Sequence, residues 1–207
     1  SRQKYPTMSL VKSILKTAIK LLLNRGVGSQ FGEDAILEKI LPARGFYVDV
    51  GAYHPHLYSN TYRLYQKGWS GIAIDPNKDM RILFRIFRPR DTFINAGIGN
   101  GIMPYHAYTD AAYNGYNREV PSRVRLRSTC PVTCLPLSRI VAGVSQIDFL
   151  NVDVEGMDLA VLMSHDWSLS VKVIAVEGEA KSSTTGFLTE KGYRLHAVLG
   201  KTLIFTL

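Results

Sequence analysis

The stretch GFYVDVGAYHPHLYSNTYRLYQKGWSGIAIDPN, residues 45–77, constrains the fold of this chain more than any other. An apolar run from Phe46 to Val50 reaches Asp49 and Gly51. A helical stretch follows, and a second apolar run, Ile72 to Ile74, ends at Asp75. Strand, turn, helix and strand in that order build the repeating unit of a parallel sheet, with a ligand crevice at the strand ends. A dinucleotide-binding turn requires G-x-G-x-x-G, yet Tyr53 and His56 occupy the second and third glycine positions after Gly51. In such a turn the second glycine lets the backbone approach a pyrophosphate, and the third lets the helix pack close to the strand. The turn therefore disfavours nicotinamide chemistry, the main rival among enzymes, and suits a ligand that carries no pyrophosphate.

The rest of the chain extends this pattern. Residues 9–24, SLVKSILKTAIKLLLN, repeat apolar positions at helical spacing, with Lys12, Lys16 and Lys20 four apart on one face. Ser9 can cap this amphipathic basic helix and Gly26 can end it. It is expected to dock its apolar face on protein, with peripheral contact to an anionic membrane as the alternative. Residues 34–41 read as a short helix, and the helix after the first strand is expected to begin near Ser59 or Asn60 and to stop at Gly68. KDMRILFRIF gives a further helix and TFINAGIG a third strand ending near Asn95. Residues 100–135, rich in Tyr, Gly, Pro and Arg, read as a long functional insertion with short strands and some mobility. QIDFLNVDVEG is a fourth strand, DLAVLMSH its helix, and VKVIAVEGE a fifth strand. TTGFLTEKG is a last helix, and YRLHAVLGKTLIFTL alternates around Gly200-Lys201 as a closing hairpin. The fold class this implies is α/β: a Rossmann-like, mainly parallel sheet with a C-terminal antiparallel hairpin and an N-terminal helix. Residues 1–28 form the helix and residues 29–207 one ligand-binding domain, a length that suits a single core.

The formal net charge of +8 favours anionic partners. Two groups, Arg81, Arg85, Arg88 and Arg90, then Arg118, Arg123, Arg125 and Arg127, read as solvated basic surface. No zinc finger, helix-turn-helix or RNA-binding aromatic motif accompanies them, so nucleic acid is not the favoured partner. No apolar run approaches the ~20 residues of a membrane span, and no signal-like block opens the chain, which sets a cytoplasmic expectation. Cys130 and Cys134, in C-x3-C spacing, read as two reduced thiols, with a disulfide or redox pair as the alternative. A zinc site needs about four ligands and no second pair exists, so no metal is expected.

S-adenosylmethionine is a ligand that fits the opening turn. Its ribose uses an acid at the end of the second strand, its carboxylate a helix N-terminus, and its ammonium a carboxylate near the first strand. Asp49 and Gly51 end the first strand. Asp75 ends the second, 26 residues on, near the ~20-residue spacing of a ribose-binding acid. Asn95 to Gly97 end the third, where an adenine edge would lie, and Asp153 and Glu155 end the fourth.

These residues resemble the FkbM-type S-adenosylmethionine-dependent methyltransferases. The resemblance rests on SQFGEDAIL at 29–37, on 46–77, on INAGIGN at 94–100, on IDFLNVDVEGMDLAVL at 147–162 and on the terminal GYRLHAVLGKTLIFTL. It implies the class I methyltransferase fold and O-methylation of a hydroxyl on a sugar, glycan or small natural product. It also places Gln30, Glu33 and Asp34 over the cofactor pocket. The cofactor set is then Gln30, Asp49, Gly51, Tyr53, Asn60 and Asp75 with Pro76, Asn95, Ala96, Gly97 and Asp153. A hydroxyl acceptor has to lose a proton, so a general base helps. Asp153 is the first candidate, its rival role being to hold the cofactor ammonium. His54 and Glu155 follow; Glu155 has a bracing role at Gly156 as its alternative, and His54 a structural one. Tyrosines 105, 108, 113 and 116 are expected to wall the acceptor. Base-amino methylation is disfavoured, because DVEG stands where those enzymes carry D/N-P-P-Y/F. Ribose 2′-O-methylation of RNA remains an alternative reading. So does a non-catalytic binding protein that keeps the fold, although the strand-end acids argue against it.

Overall fold

A computed structural model describes residues 7–23, 28–109, 113–116, 120–154 and 156–207. Two helices come first, α1 (Thr7–Leu22) and α2 (Glu33–Ile40). Then β1 (Phe46–Val50), α3 (Tyr62–Gln66), β2 (Ser70–Ile74), α4 (Met80–Phe87) and β3 (Thr92–Ile94) follow. Next are β4 (Gly97–Ile98), β5 (Gly101–Tyr108), β6 (Leu126–Leu135) and α5 (Leu137–Ile140). The chain continues with β7 (Ile147–Val152), α6 (Asp158–Met163), β8 (Val171–Glu177), α7 (Ser183–Glu190), β9 (Arg194–Leu199) and β10 (Thr202–Thr206).

The main sheet runs β3-β2-β1-β7-β8-β10-β9. Its strands are parallel except β10, which is antiparallel to both neighbours. All six residues of β7 are buried, as a central parallel strand covered on both faces requires. Alternate side chains feed two cores. Val48, Val50, Leu150 and Val152 pack on one face, and Tyr47 and Phe149 on the other. Chain order reverses at β1 and β7, so the crevice lies between their carboxyl ends.

Two expectations need correction. The helix after β1 starts at Tyr62 with Thr61 as its cap residue, not at Ser59 or Asn60. The Asn60 amide donates to Asn151 at 2.9 Å, while the Ser59 hydroxyl accepts from Arg88 Nη1 at 3.2 Å and from the Thr61 N–H at 3.4 Å, just ahead of the helix. Within residues 100–135, β5 and β6 are long strands that form a second sheet in the order β4-β6-β5. Pro104 and Pro131 face each other across this hairpin, so the two missing N–H groups fall on one rung. Cys130 and Cys134 both lie on β6 and are free. Four residues of extended strand separate their Cα atoms by roughly 13 Å, too far for a disulfide.

Helix α1 docks on the domain. Thr17 is buried and its hydroxyl is hydrogen bonded to His54 Nε2 at 3.1 Å, while Leu21 packs against the Tyr47 core. Gly26, read as its end, lies outside the described residues. Among the described residues no helix is long and apolar enough to cross a membrane.

Candidate functional site

A cavity of about 400 Å³ opens at the carboxyl ends of β1, β2 and β7. The β1 end contributes Asp49, Gly51 and Tyr53, and the turn beyond it Tyr58, Ser59 and Asn60. The β2 end contributes Asp75, Pro76 and Asn77. Ala96 and Gly97 line the next edge, Asn151 and Asp153 the β7 edge, and Gln30 closes over from the N-terminal side. An isolated bridge between Gly28 and Leu57 holds that N-terminal segment beside the turn.

Gly51 is required where it stands. Its φ is +80°, and a Cβ there would sit 1.8 Å from the Asp153 carbonyl oxygen. The β1 turn and the β7 end therefore meet backbone to backbone. Gly97 serves a second close approach, because a Cβ there would fall 1.8 Å from the Tyr116 hydroxyl.

Asp75 is buried at the floor. Its Oδ2 accepts from the Tyr53 N–H at 2.9 Å and its Oδ1 from the Asn77 N–H at 2.7 Å. Burial pushes its pKa up to about 7; the two N–H groups pull it down, and nearby Asp49 adds to the rise. Tyr53 adopts φ 46° and Tyr58 φ 55°. Both side chains are exposed at the cavity mouth. Left-handed backbone at two non-glycine residues is strain of the kind that collects at ligand clamps.

Asp49 is held from both sides. Thr61 Oγ1 donates to its Oδ2 at 2.5 Å and Asn151 Nδ2 to its Oδ1 at 2.9 Å. Asn60 Nδ2 in turn donates to Asn151 Oδ1 at 2.9 Å. Beneath them lies Arg88, fully buried. Its Nε donates to Asp91 at 2.6 Å, and its two amino groups reach the Pro55 carbonyl, Ser59, Thr61 and the Tyr47 hydroxyl. This corrects the reading of Arg88 as solvated surface. A buried guanidinium has to pair, and its planar fork ties β1 to the turn above it.

His54 does not line the cavity. Its ring lies under α1, bonded to Thr17, and its Nδ1 accepts from the N–H groups of His56 and Leu57 at 3.4 and 3.3 Å. Burial, then His56 and Lys20, push its pKa down to about 3, so it is a weak base as well as a distant one. Asn95 is not among the lining residues either. Its amide donates to the carbonyls of Asp75 and Pro76, both at 2.9 Å, and braces the β2 end. Glu33 is buried and ties its turn to β10, accepting from the Phe31 N–H and the Thr202 hydroxyl at 2.8 Å. Asp34 accepts from Ser29. Of that trio only Gln30 reaches the cavity. Glu155 lies outside the described residues. Asp158 accepts from the N–H groups of Val154 and Gly156 at 3.4 and 3.2 Å.

Tyr105 and Tyr116 line the cavity, their rings 5.5 Å apart. Burial raises the pKa of both, and Asp75 adds to each rise, so the hydroxyls keep their protons near neutrality. They wall the Asp75 end. Tyr108 packs on His106 and Tyr113 is half-buried; neither lines the cavity. Sequence reasoning missed Arg88, Asn151 and Tyr58. The clue for Asn151 was a polar residue inside an otherwise apolar strand.

A parallel sheet in this order, closed by an antiparallel hairpin and carrying acids at the ends of β1, β2 and β7, defines a class I methyltransferase fold. The family described as the methyltransferase FkbM domain matches residues 49–195. The chain belongs to the FkbM methyltransferase family. Among solved structures, methyltransferase FkbM from Methylobacillus flagellatus KT superposes with a TM-score of 0.52 at 16% identity. That match covers 87% of this chain and 48% of the other, so the chain spans about half the length of that protein. A methyltransferase from Geobacter sulfurreducens matches with a TM-score of 0.49 at 12% identity, covering 99% of this chain and 91% of the other. A TehB-like SAM-dependent methyltransferase from Corynebacterium glutamicum ATCC 13032 Kitasato gives 0.45 at 11% identity, covering 97% and 99%. No curated protein matches the sequence.

Proposed function

We propose that the cavity binds S-adenosylmethionine and that the domain methylates a hydroxyl on a sugar, glycan or small natural product. The observation that carries this reading is Asp75, a carboxylate pinned by two backbone N–H groups at the floor of a cavity of cofactor size. Each of its oxygens keeps acceptor capacity for a ribose hydroxyl. Ala96, Gly97, Tyr105 and Tyr116 offer a flat, largely apolar slot for adenine. Asp49, Asn60 and Asn151 offer polar groups to the amino-acid end, and Gly51 leaves room there. When bound, S-adenosylmethionine supplies an electrophilic methyl carbon.

The chain's own residues then orient the acceptor and take its proton. Asp153 stands on the β7 edge of the cavity, and its carboxylate accepts the hydroxyl proton. Tyr53 and Tyr58 present exposed rings at the mouth. Such faces suit a sugar ring or a planar acceptor.

Asp75 gives this reading a pH test. An acid whose pKa stands at about 7 in the free protein is half protonated there. Ribose hydroxyls that donate to it favour the ionised form, so binding should expel a proton in mildly acidic buffer. Affinity for S-adenosylhomocysteine is expected to fall as pH drops below about 7, by up to roughly tenfold per unit. Calorimetry in buffers of different ionisation enthalpy reads the released proton directly. Proton uptake, or a flat profile that Asp75→Asn leaves unchanged, would remove Asp75 from the ligand.

A further inference from the structure

The face of α1 turned away from the domain is itself apolar. Leu15, Ile19 and Leu22 recur at four and three residues, which puts them on one side of the helix. They are 60%, 46% and 85% exposed. Lys12 and Lys16, both exposed, border that stripe. The helix thus has two working faces: Thr17 and Leu21 against the domain, and a leucine–isoleucine stripe edged with lysine outward.

Helix α4 repeats the arrangement. Leu83 and Phe84 are buried, while Ile82 and Ile86 are exposed beside exposed Arg81 and Arg85. Both helices reach the same turn. Thr17 of α1 bonds to His54, and Phe87 of α4 lies 6.2 Å from the His56 ring, whose neighbour is His54 at 4.6 Å.

We propose that α1, supported by α4, docks the domain on an anionic lipid surface as a peripheral helix lying in the headgroup plane. Apolar side chains alternating with lysine and arginine match the two components of such a surface, acyl boundary and negative headgroups. The net charge of +8 acts in the same direction. A second copy of the chain fits less well. Pairing of two such stripes would leave the lysine and arginine borders without the acidic groups that an anionic surface supplies.

The test is vesicle flotation of the whole chain with phosphatidylcholine alone and with phosphatidylcholine containing phosphatidylglycerol. Binding is expected to the anionic vesicles only, and to weaken with salt. Lys12→Gln with Lys16→Gln should lower partitioning by roughly fivefold per lysine. Leu15→Glu with Ile19→Glu should abolish it. Helical content by circular dichroism and affinity for S-adenosylhomocysteine should stay unchanged in both variants, because neither pair touches the cavity. Equal flotation of wild type and Leu15→Glu/Ile19→Glu would overturn the proposal. So would flotation that ignores lipid charge. A dimer by sedimentation velocity without vesicles, lost in the same variant, would assign the stripe to a second copy and overturn it too.

Discussion

Asp153→Asn is expected to lower methyl transfer to a hydroxyl acceptor by about 100- to 10,000-fold while leaving most cofactor affinity in place. A protonated hydroxyl is a poor nucleophile, and the substitution keeps the shape of the side chain while removing the carboxylate proposed to take its proton. The backbone around it has reason to stay. The Asp153 N–H donates to the Val50 carbonyl at 3.0 Å, and its own carbonyl packs on Gly51. Single-turnover transfer measured beside calorimetric binding of S-adenosylhomocysteine separates the outcomes. Loss of transfer alone marks a base. Loss of both marks a ligand of the cofactor ammonium. Wild-type transfer would exclude both roles. His54 is a poor substitute, since it lies under α1 and off the cavity.

Replacing Arg88 by Met is expected to destabilise the fold by about 3–5 kcal/mol, the usual cost of leaving one member of a buried ion pair alone. Asp91 would remain, fully buried, with its carboxylate beside an apolar side chain. Its pKa, already raised by burial, would lose the opposing pull of the guanidinium. Thr61, Ser59 and the Pro55 carbonyl would lose a donor at the same time. Urea denaturation gives the size of the effect. Arg88→Met with Asp91→Asn should recover part of the loss, because the second change removes the stranded charge. A single variant within about 1 kcal/mol of wild type would mean that water or rearrangement replaces the pair.

The site's acids were legible because each one ends an apolar run. Asp75 and Asp153 stand just past the ends of β2 and β7, and Asp49 one residue before the end of β1, where a charge against a buried strand calls for an explanation. Asn151 hid inside β7, where its neighbours made it look like one more core position. Arg88 hid for the opposite reason. It sits among three other arginines, and its partners Tyr47, Ser59 and Thr61 lie 41, 29 and 27 residues away. Its one local partner, Asp91 three residues on, looks like an ordinary surface ion pair in sequence. His54 misled in the same way, since Thr17, the residue that occupies it, lies 37 residues upstream. The β5–β6 hairpin escaped because its alternation is faint. On β6 only Val132 and Cys134 are buried, and each strand carries a proline. Core strands announce themselves through hydrophobic contrast, and this small, largely exposed sheet has little of it.

The fork of Arg88 has a consequence for how tightly this cavity can fill. The turn from Tyr53 to Thr61 includes two left-handed tyrosines, and a turn of that kind would be disordered if it hung free. The guanidinium fastens it at Pro55, Ser59 and Thr61 to the strand below. The entropy of ordering that turn is therefore lost when the chain folds, not when a ligand arrives. For this part of the wall, the cost of ordering does not draw down the free energy of binding.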